Sequence, residues 1–393
     1  MNIIDGKSYE KAIEYISSLS QFVAGTGCER AEKLLERLGN PQDKLKVIHV
    51  AGSNGKGSVC AYLAGILQEN GYKTGLFTSP HLIDERERIR INGMMITKEE
   101  FAEAYARVKA VEDELGKGSL AYFDYFLGIA FIVFLKQNVD ICVIETGLGG
   151  RLDATNAVKN PVLDIIATIS LEHTAILGNT IEKIAEEKSG IIKNNVPVVF
   201  IKDKKSVTDI IEKKAEDNNC EAYGVTQKDF QIIKNYGYCI DFSLNNMYYK
   251  NDCFTITTGA VYQVQNCSLA LTAAEVLKKT GVVKLESNAV HKAVKKVQWH
   301  GRMEQIADNI YVDGAHNPEG IEALICSVSP ITCGRKTILL FSVVNDKDYD
   351  RMIKSICDSN MFDYFVGQTM KETRGKANPV KAKEIISREL DAR

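Results

Sequence analysis

Proline is scarce, at 7 of 393 residues, and no stretch is repetitive or of low complexity, so collagen-like and disordered classes are excluded. The 10 cysteines include no Cys-x-x-Cys pair. Several lie inside apolar runs (Cys60, Cys142, Cys326), so they are expected to be reduced, buried thiols of a cytoplasmic protein. An excess of positive charge is also missing: Lys+Arg 49 against Asp+Glu 51 gives a net charge of −2. That balance supplies no field to gather nucleic acid or an anionic membrane surface. No apolar run, Leu127 to Leu135 included, approaches the ~20 residues that span a bilayer. The amino end is charged and periodic rather than a basic stub before an apolar block, so no signal peptide is expected. What is there is ordinary for a packed core, 45% hydrophobic and 25% charged residues. At ~150 residues per domain, the length predicts two to three domains.

Strand-length apolar runs alternate with helix-period stretches along most of the chain. Leu45 to Val50 reads as a strand, Ser58 to Asn70 as a helix closed by Gly71, and Lys73 to Phe77 as a second strand. Arg88 to Ile96 carries Asn92-Gly93, the strongest short hairpin signal. Tyr122 to Lys136 reads as a buried helix. Val139 to Glu145 and Leu163 to Ser170 lack polar alternation, which predicts parallel strands covered on both faces. A helix over Thr180 to Lys193 and a strand over Pro197 to Ile201 follow. Between Cys220 and Gly259 the short alternating stretches Tyr238 to Phe242 and Cys253 to Thr257 predict an antiparallel patch. Helices return at Val264 to Thr280 and Ser287 to Val297. A second β/α alternation then runs through Gln305 to Val312, Pro318 to Ser327, Lys336 to Val343, Tyr349 to Ser359, Asp363 to Val366 and Pro379 to Leu390. The expected fold class is α/β: a large, mostly parallel, doubly wound domain over 1–297, and a smaller Rossmann-like α/β domain over 298–393.

The most informative stretch is 46–58, KVIHVAGSNGKGS, a strand running through Gly52, Gly55 and Gly57 into a helix. Glycines let successive N–H groups face one point, and the helix N-terminus adds positive potential there. Lys56 can reach terminal phosphates, and Ser58 can hold a phosphate or its Mg²⁺. The spacing is neither G-x-x-x-x-G-K-[ST] nor G-x-G-x-x-G, but the flanking strand and helix favour nucleotide phosphate over a plain turn. Ser79 and His81, in TSPHL at 78–82, follow the next strand, and strand carboxyl ends are where ligands sit in an open parallel sheet. Glu145 ends a buried apolar strand, a costly place for a carboxylate without a cation, and Mg²⁺ is the natural partner beside a phosphate loop. Leu171-Glu172-His173 repeats the device at a third strand. On residue chemistry alone, Lys188 reads equally as a site residue or a solvated cation. In Asp313-Gly-Ala-His-Asn-Pro318, a capped helix start explains Asn317 and Pro318 but requires neither Asp313 nor His316.

Taken in order, HVAGSNGKGS at 49–58, TSPHL at 78–82, ERIRING at 87–93, ETGLGGRLDATN at 145–156, EHTAILGNTIEKIAEEKSGIIK at 172–193, QVQN at 263–266, WHGRME at 299–304 and DGAHNP at 313–318 resemble the folylpolyglutamate synthase/dihydrofolate synthase family, a branch of the Mur-ligase-like ATP-dependent amide ligases. The resemblance implies that ATP phosphorylates a folate carboxylate and that the amino group of L-glutamate displaces phosphate. Dihydrofolate synthase activity stays open. It implies that Gly55, Lys56, Gly57 and Ser58 bind ATP phosphates, joined by Asn266, Arg302 and Asp313 on the nucleotide. Ser79, Glu145, His173 and Lys188 are implied to hold two Mg²⁺ ions, with Lys188 carbamylated. Lys56, His173, Lys188 and His316 are the implied catalytic residues, His316 lying near ATP and the incoming glutamate.

The same resemblance implies a folate or dihydropteroate site from Gly25, Thr26, Gly27, Pro80, His81, Ala121, Tyr122, Phe123, Asp124, Leu152, Asp153 and Ala154. Departures from the family pattern are Ser53 for threonine, Glu172 for aspartate, His300 for proline, and Gly25 to Arg30 for the Asp-Leu-Gly-Leu stretch beside the pteroate. A cytoplasmic monomer with small-molecule substrates, and neither nucleic acid nor membrane as partner, is the expectation. Two readings compete. One is a Mur-type cell-wall ligase, against which the 78–82 loop speaks. The other is an ATP-hydrolysing switch, which leaves Asp313 and His316 idle. Relatives usually continue past the helix-like 380–393 with a strand and a glycine-containing tail, so the smaller domain is expected to be short or truncated there.

Overall fold

In the computed structural model, which describes residues 7–20, 25–332, 335–344, 347–362 and 364–366, the apolar run after Leu45 becomes strand β1 (Val47–Ala51), buried along its whole length. It lies inside an eight-stranded sheet with β2 (Thr74–Phe77), β3 (Ile89–Ile91), β4 (Met94–Met95), β5 (Ile141–Glu145), β6 (Leu163–Ile166), β7 (Val198–Ile201) and β8 (Ala222–Val225). The spatial order is β4-β3-β2-β5-β1-β6-β7-β8. From β2 to β8 every pairing is parallel, and the β3–β4 hairpin adds an antiparallel edge. Asn92 and Gly93 take φ of 49° and 75° at its turn, as a two-residue hairpin of type I′ demands.

Helices cover both faces of this sheet: α1 (Lys7–Ser18), α2 (Gly27–Arg37), α3 (Lys56–Glu69), α4 (Lys98–Leu115), α5 (Tyr122–Lys136), α6 (Thr174–Leu177), α7 (Ile181–Ser189) and α8 (Lys205–Asp217). Helix α5 is apolar nearly all round because it is buried nearly all round. Its Phe126, Phe131 and Phe134 pack with Phe77, Cys142 and Ile144. Farther along the same face Ile184, Ala185, Val207 and Ile211 cover Ile166, Val198 and Phe200. Each such fully buried large side chain contributes roughly 1.5–3 kcal/mol. Gly75 sits where the ring of Phe134 lies 3.0 Å from any added Cβ, so a side chain there displaces α5 from the sheet.

An antiparallel sheet of β9 (Phe230–Asn235), β10 (Ile240–Leu244) and β11 (Asp252–Ile256) follows, its inner side marked by Phe242 stacked on Phe254 at 5.7 Å. Helices α9 (Tyr262–Lys279) and α10 (Ser287–Lys296) complete the run. The chain divides into two compact units, Met1–Thr258 with Gln263–His300, and Gly259–Tyr262 with Gly301–Arg393. The second unit contains β12 (Glu304–Ala307), β13 (Ile310–Val312), α11 (Pro318–Thr332), β14 (Ile338–Leu340), α12 (Tyr349–Asp358) and β15 (Tyr364–Val366). Its own core gathers Met303, Ile321, Leu324, Met352 and Ile356. Among the described residues no helix is long and apolar enough to cross a membrane.

Several expectations are corrected. Gln305 to Val312 is not one strand but the β12–β13 hairpin, because Asn309 turns the chain at φ 61°. The strand read to Ser170 ends at Ile166, where the backbone leaves the ladder to meet the loop after β1. Cys326 is exposed rather than buried, as are Cys253 and Cys357, while Cys60, Cys142 and Cys267 are buried. Helices α1, α2, α4 and α8 stand in stretches where no element was expected. The helix read over Pro379 to Leu390 lies outside the described residues.

Candidate active site

Gly55, at φ 86°, is the N-cap of α3, and Lys56, Gly57 and Ser58 form its first turn. Their N–H groups come before any carbonyl of the same helix and face outward as donors. Gly55 is required twice over: its φ is left-handed, and a Cβ there sits 2.3 Å from Asn266 Oδ1. The indole of Trp299 rests on Gly57, 3.1 Å from where a Cβ stands. Lys56 Nζ folds back to donate to the carbonyls of Gly52 and Ser53 at 2.9 and 3.2 Å.

The loop is tied to the chain leaving β6. Ser53 N donates to Thr168 O at 2.8 Å. Ser53 Oγ donates to Ser170 O at 3.1 Å and accepts from Ser170 N at 3.0 Å. From α7, Lys188 Nζ donates to Gly52 O at 2.8 Å and to Glu172 Oε1 at 2.7 Å, and its side chain is only 1% exposed. Burial draws the Lys188 amine down to about 8 despite Glu172 beside it. Burial alone pushes Glu172 up, but Lys188 and then Lys56 outweigh it and hold the carboxylate at about 2. His173, the next residue, is half-buried and left-handed at φ 45°.

Glu145 ends β5 almost fully buried, and its Oε2 accepts from the backbone N–H of Ser79 at 3.0 Å. The resemblance implies Ser79 as a metal ligand; the bond it makes to Glu145 here comes from its main-chain N–H. From α9, Asn266 Nδ2 donates to Gln263 Oε1 at 3.0 Å, and Gln263 Nε2 donates to Ser58 Oγ at 3.0 Å. Gln263 was missed, although it stands in the quoted QVQN stretch. The signal was its spacing of three from Asn266, which puts both on one helix face.

Three of the four stretches assigned to folate, 25–27, 121–124 and 152–154, come together in the first unit. Cys28 N donates to Leu152 O at 3.1 Å, and Gly27 lies so close that a Cβ is 3.0 Å from Ala154 N. Arg30 Nε donates to Asp124 Oδ2 at 2.7 Å, an atom that also accepts from Ala121 N at 2.8 Å. Burial raises the Asp124 carboxyl nonetheless. Thr26 is the N-cap of α2, its Oγ1 accepting from Glu29 N at 3.2 Å. Tyr122 and Phe123 open α5, and Phe123 packs edge-on to Phe77. Asp153 is bound within its own turn: Oδ1 accepts from the Thr155 hydroxyl at 2.6 Å and Oδ2 from Leu148 N at 2.8 Å. His49 Nε2 meets Thr155 Oγ1 at 2.8 Å, and complete burial drives His49 down to about 3. His81 Nδ1 accepts from Arg88 Nε at 2.9 Å; burial and that guanidinium keep the imidazole neutral. Pro80, exposed, precedes it after a cis bond.

In the second unit Arg302, Asp313 and His316 gather around the backbone bond from Gly314 N to Gly301 O, 2.8 Å. Asp313 Oδ2 accepts from the Tyr262 hydroxyl at 2.5 Å and from Met303 N at 2.9 Å, while Oδ1 accepts from Ala315 N at 2.8 Å. Three donors make it a tie for that turn. Arg302 NH1 donates to Gly301 O at 2.9 Å, and exposed His316 places Nδ1 2.8 Å from Gly314 O.

Donor-rich loop, lysines and a buried strand-end carboxylate are the groups that a polyanion and its counter-cation call for. Among the described residues no three His, Cys, Asp or Glu side chains converge on a metal position. Mg²⁺ does not ask for that, since beside nucleotide phosphates it takes one or two protein carboxylates and keeps several waters. Buried Glu145, oriented by Ser79 N, fits it.

Along most of its length the chain matches known proteins. Residues 50–274 match the family model described as Mur ligase middle domain, and residues 301–386 that of Mur ligase, glutamate ligase domain. The dihydrofolate synthase/folylpolyglutamate synthase of Bacillus subtilis is 36% identical over 360 residues, covering 89% of this chain and 83% of its own. A solved FPGS–AMPPCP–folate complex superposes with a TM-score of 0.84 at 30% identity, covering 91% and 89% of the two chains. The folylpolyglutamate synthase of Thermotoga maritima gives 0.80 at 33%, covering 92% and 83%.

Proposed function

Because the chain belongs to the folylpolyglutamate synthase/dihydrofolate synthase branch of the Mur ligases, we propose that the loop from Gly52 to Ser58, with Glu145 and Lys188 beside it, is where it activates its substrate. The protein is an ATP-dependent ligase that adds L-glutamate to a folate carboxylate through an acyl phosphate. A carboxylate is a poor electrophile, and phosphorylation gives it a leaving group. Negative charge then gathers on the transferred phosphoryl group, and catalysis is chiefly its positioning and neutralisation.

The first-turn N–H groups of α3 hold the phosphates, and Lys56 turns its ammonium from the loop carbonyls toward them. Glu145 would hold Mg²⁺, with the Ser79 hydroxyl and His173 as further ligands, and the metal would offset phosphate charge. Arg302, Asp313 and His316 serve the nucleotide and the incoming glutamate. Gly27, Arg30 with Asp124, Tyr122 and Phe123 shape the folate side. Lys188 is the candidate for carbamylation, which would serve a second Mg²⁺. Its burial lowers the cost of the neutral amine that attacks CO₂, and Glu172 must release it first. The observation that carries the reading is Lys188 Nζ on the carbonyl of Gly52, which joins this lysine directly to the phosphate loop.

The test supplies ATP, Mg²⁺ and L-glutamate with tetrahydrofolate or dihydropteroate in turn, and follows ADP and product mass. Glutamate-dependent ADP release with a product one glutamyl heavier supports the reading, and the accepted pterin says whether dihydrofolate synthase activity is present. ADP release indifferent to glutamate would point to the hydrolysing switch. For the carbamate, ¹³C-bicarbonate should give a carbamate resonance in the wild type that K188R lacks.

A further inference from the structure

We propose that Gln263 is a positioning residue that fixes the Ser58 hydroxyl as a hydrogen-bond donor to a nucleotide phosphate oxygen, not as a ligand of the metal. The inference rests on the nucleotide-binding reading of the loop and says which atom of Ser58 is used.

Gln263, Asn266 and Ser58 are 2%, 6% and 1% exposed, so their polar atoms depend on one another. Asn266 spends Nδ2 on Gln263 Oε1 at 3.0 Å, which leaves Gln263 only Nε2 to turn toward Ser58. At 3.0 Å that N–H donates to Ser58 Oγ. A serine hydroxyl has one proton and two lone pairs. Here one lone pair is occupied, and the positive end of an N–H dipole points at the oxygen. A cation on the same oxygen meets that dipole head-on, whereas proton donation to an anion is strengthened by it. Ser58 lies in the first turn of α3, where phosphate oxygens are already favoured. The same amide pair gauges the loop: Asn266 Oδ1 fills the space a side chain on Gly55 takes.

The test measures ADP binding by titration calorimetry, in EDTA and again in Mg²⁺, for wild type, S58A, Gln263→Met and the double variant. Each single change is expected to weaken ADP by about tenfold, the worth of one charge-assisted hydrogen bond. The loss should be equal in EDTA and Mg²⁺, and the double variant no worse than S58A. A loss confined to Mg²⁺ makes Ser58 a metal ligand and overturns the proposal, as do additive losses. Wild type that binds no ADP sinks the nucleotide reading itself, and K56M sets that baseline. Thermal unfolding checks folding, and if Gln263→Met does not fold, Gln263→Glu takes its place. The glutamate keeps the acceptor for Asn266 and draws the Ser58 proton away from phosphate. It should therefore cost ADP affinity less in the S58A background than alone, and an equal cost in both overturns the proposal.

Discussion

Lys188 Nζ and Glu172 Oε1 meet at 2.7 Å with both side chains almost fully buried, and the same ammonium holds the first carbonyl of the phosphate loop. A buried pair of this kind resists the loss of either member far more than it stabilises the fold as a whole.

Glu172→Gln leaves the Lys188 ammonium buried without its counter-charge. The expected cost is about 3 kcal/mol at neutral pH, read from urea midpoints. The pH dependence has a definite sign. Glu172 titrates at about 2 in the fold against 4.5 as an ordinary carboxyl, so its stabilisation is complete above 4.5 and fades as pH falls toward 2. The variant should show a shallower acid loss across that window. Equal slopes for both proteins would refute it.

His49 gives a second acid signature. Its imidazole is held at about 3 by complete burial against an ordinary 6.5, so below 6.5 the unfolded chain takes up a proton that the fold refuses. Stability should drop by about 1.4 kcal/mol per pH unit from 6.5 toward 3, being fully present above that range. His49→Gln, which still reaches the Thr155 hydroxyl, should remove this slope in denaturant titrations at stepped pH.

Gly55→Ala combines a left-handed φ of 86° with a Cβ 2.3 Å from Asn266 Oδ1. Strain of roughly 1–3 kcal/mol is expected on unfolding. Displacement of the loop should lower kcat/KM by about a hundredfold, with the folate KM changed little. A variant with wild-type kinetics would show that Asn266 yields freely.

Ser53→Ala removes both bonds to Ser170. It strands a buried N–H, at a cost of about 1–3 kcal/mol. Amide exchange should accelerate at Ser170 and not at the β1–β5 ladder, because only the strap is lost.

These residues also show how far the chain could be read before folding. The Asn92-Gly93 turn, the α3 glycines and helix α5 follow from local chemistry, and all appear in place. The Gln305 to Val312 run failed because its apolar pattern carries across a turn that Asn309 makes alone. Gln263 was missed because its spacing from Asn266 marks only a shared helix face, and its partner Ser58 is brought to it by another element. Asp313, read as a nucleotide contact, is held by three donors from its own unit, two of them main-chain groups that leave no mark on residue identity. The folate stretches were placed by resemblance, since nothing local announces that Gly27 must approach the backbone of Ala154.

The indole that rests on Gly57 belongs to the sole tryptophan of the 393 residues. The protein therefore carries one indole fluorophore, which can be excited apart from the tyrosines at the red edge of the absorption, and it is seated on the glycine of the phosphate loop. Its emission is a label-free gauge of that loop, free of background from any second indole. Stopped-flow mixing with nucleotide can follow the loop in real time, before any product has formed.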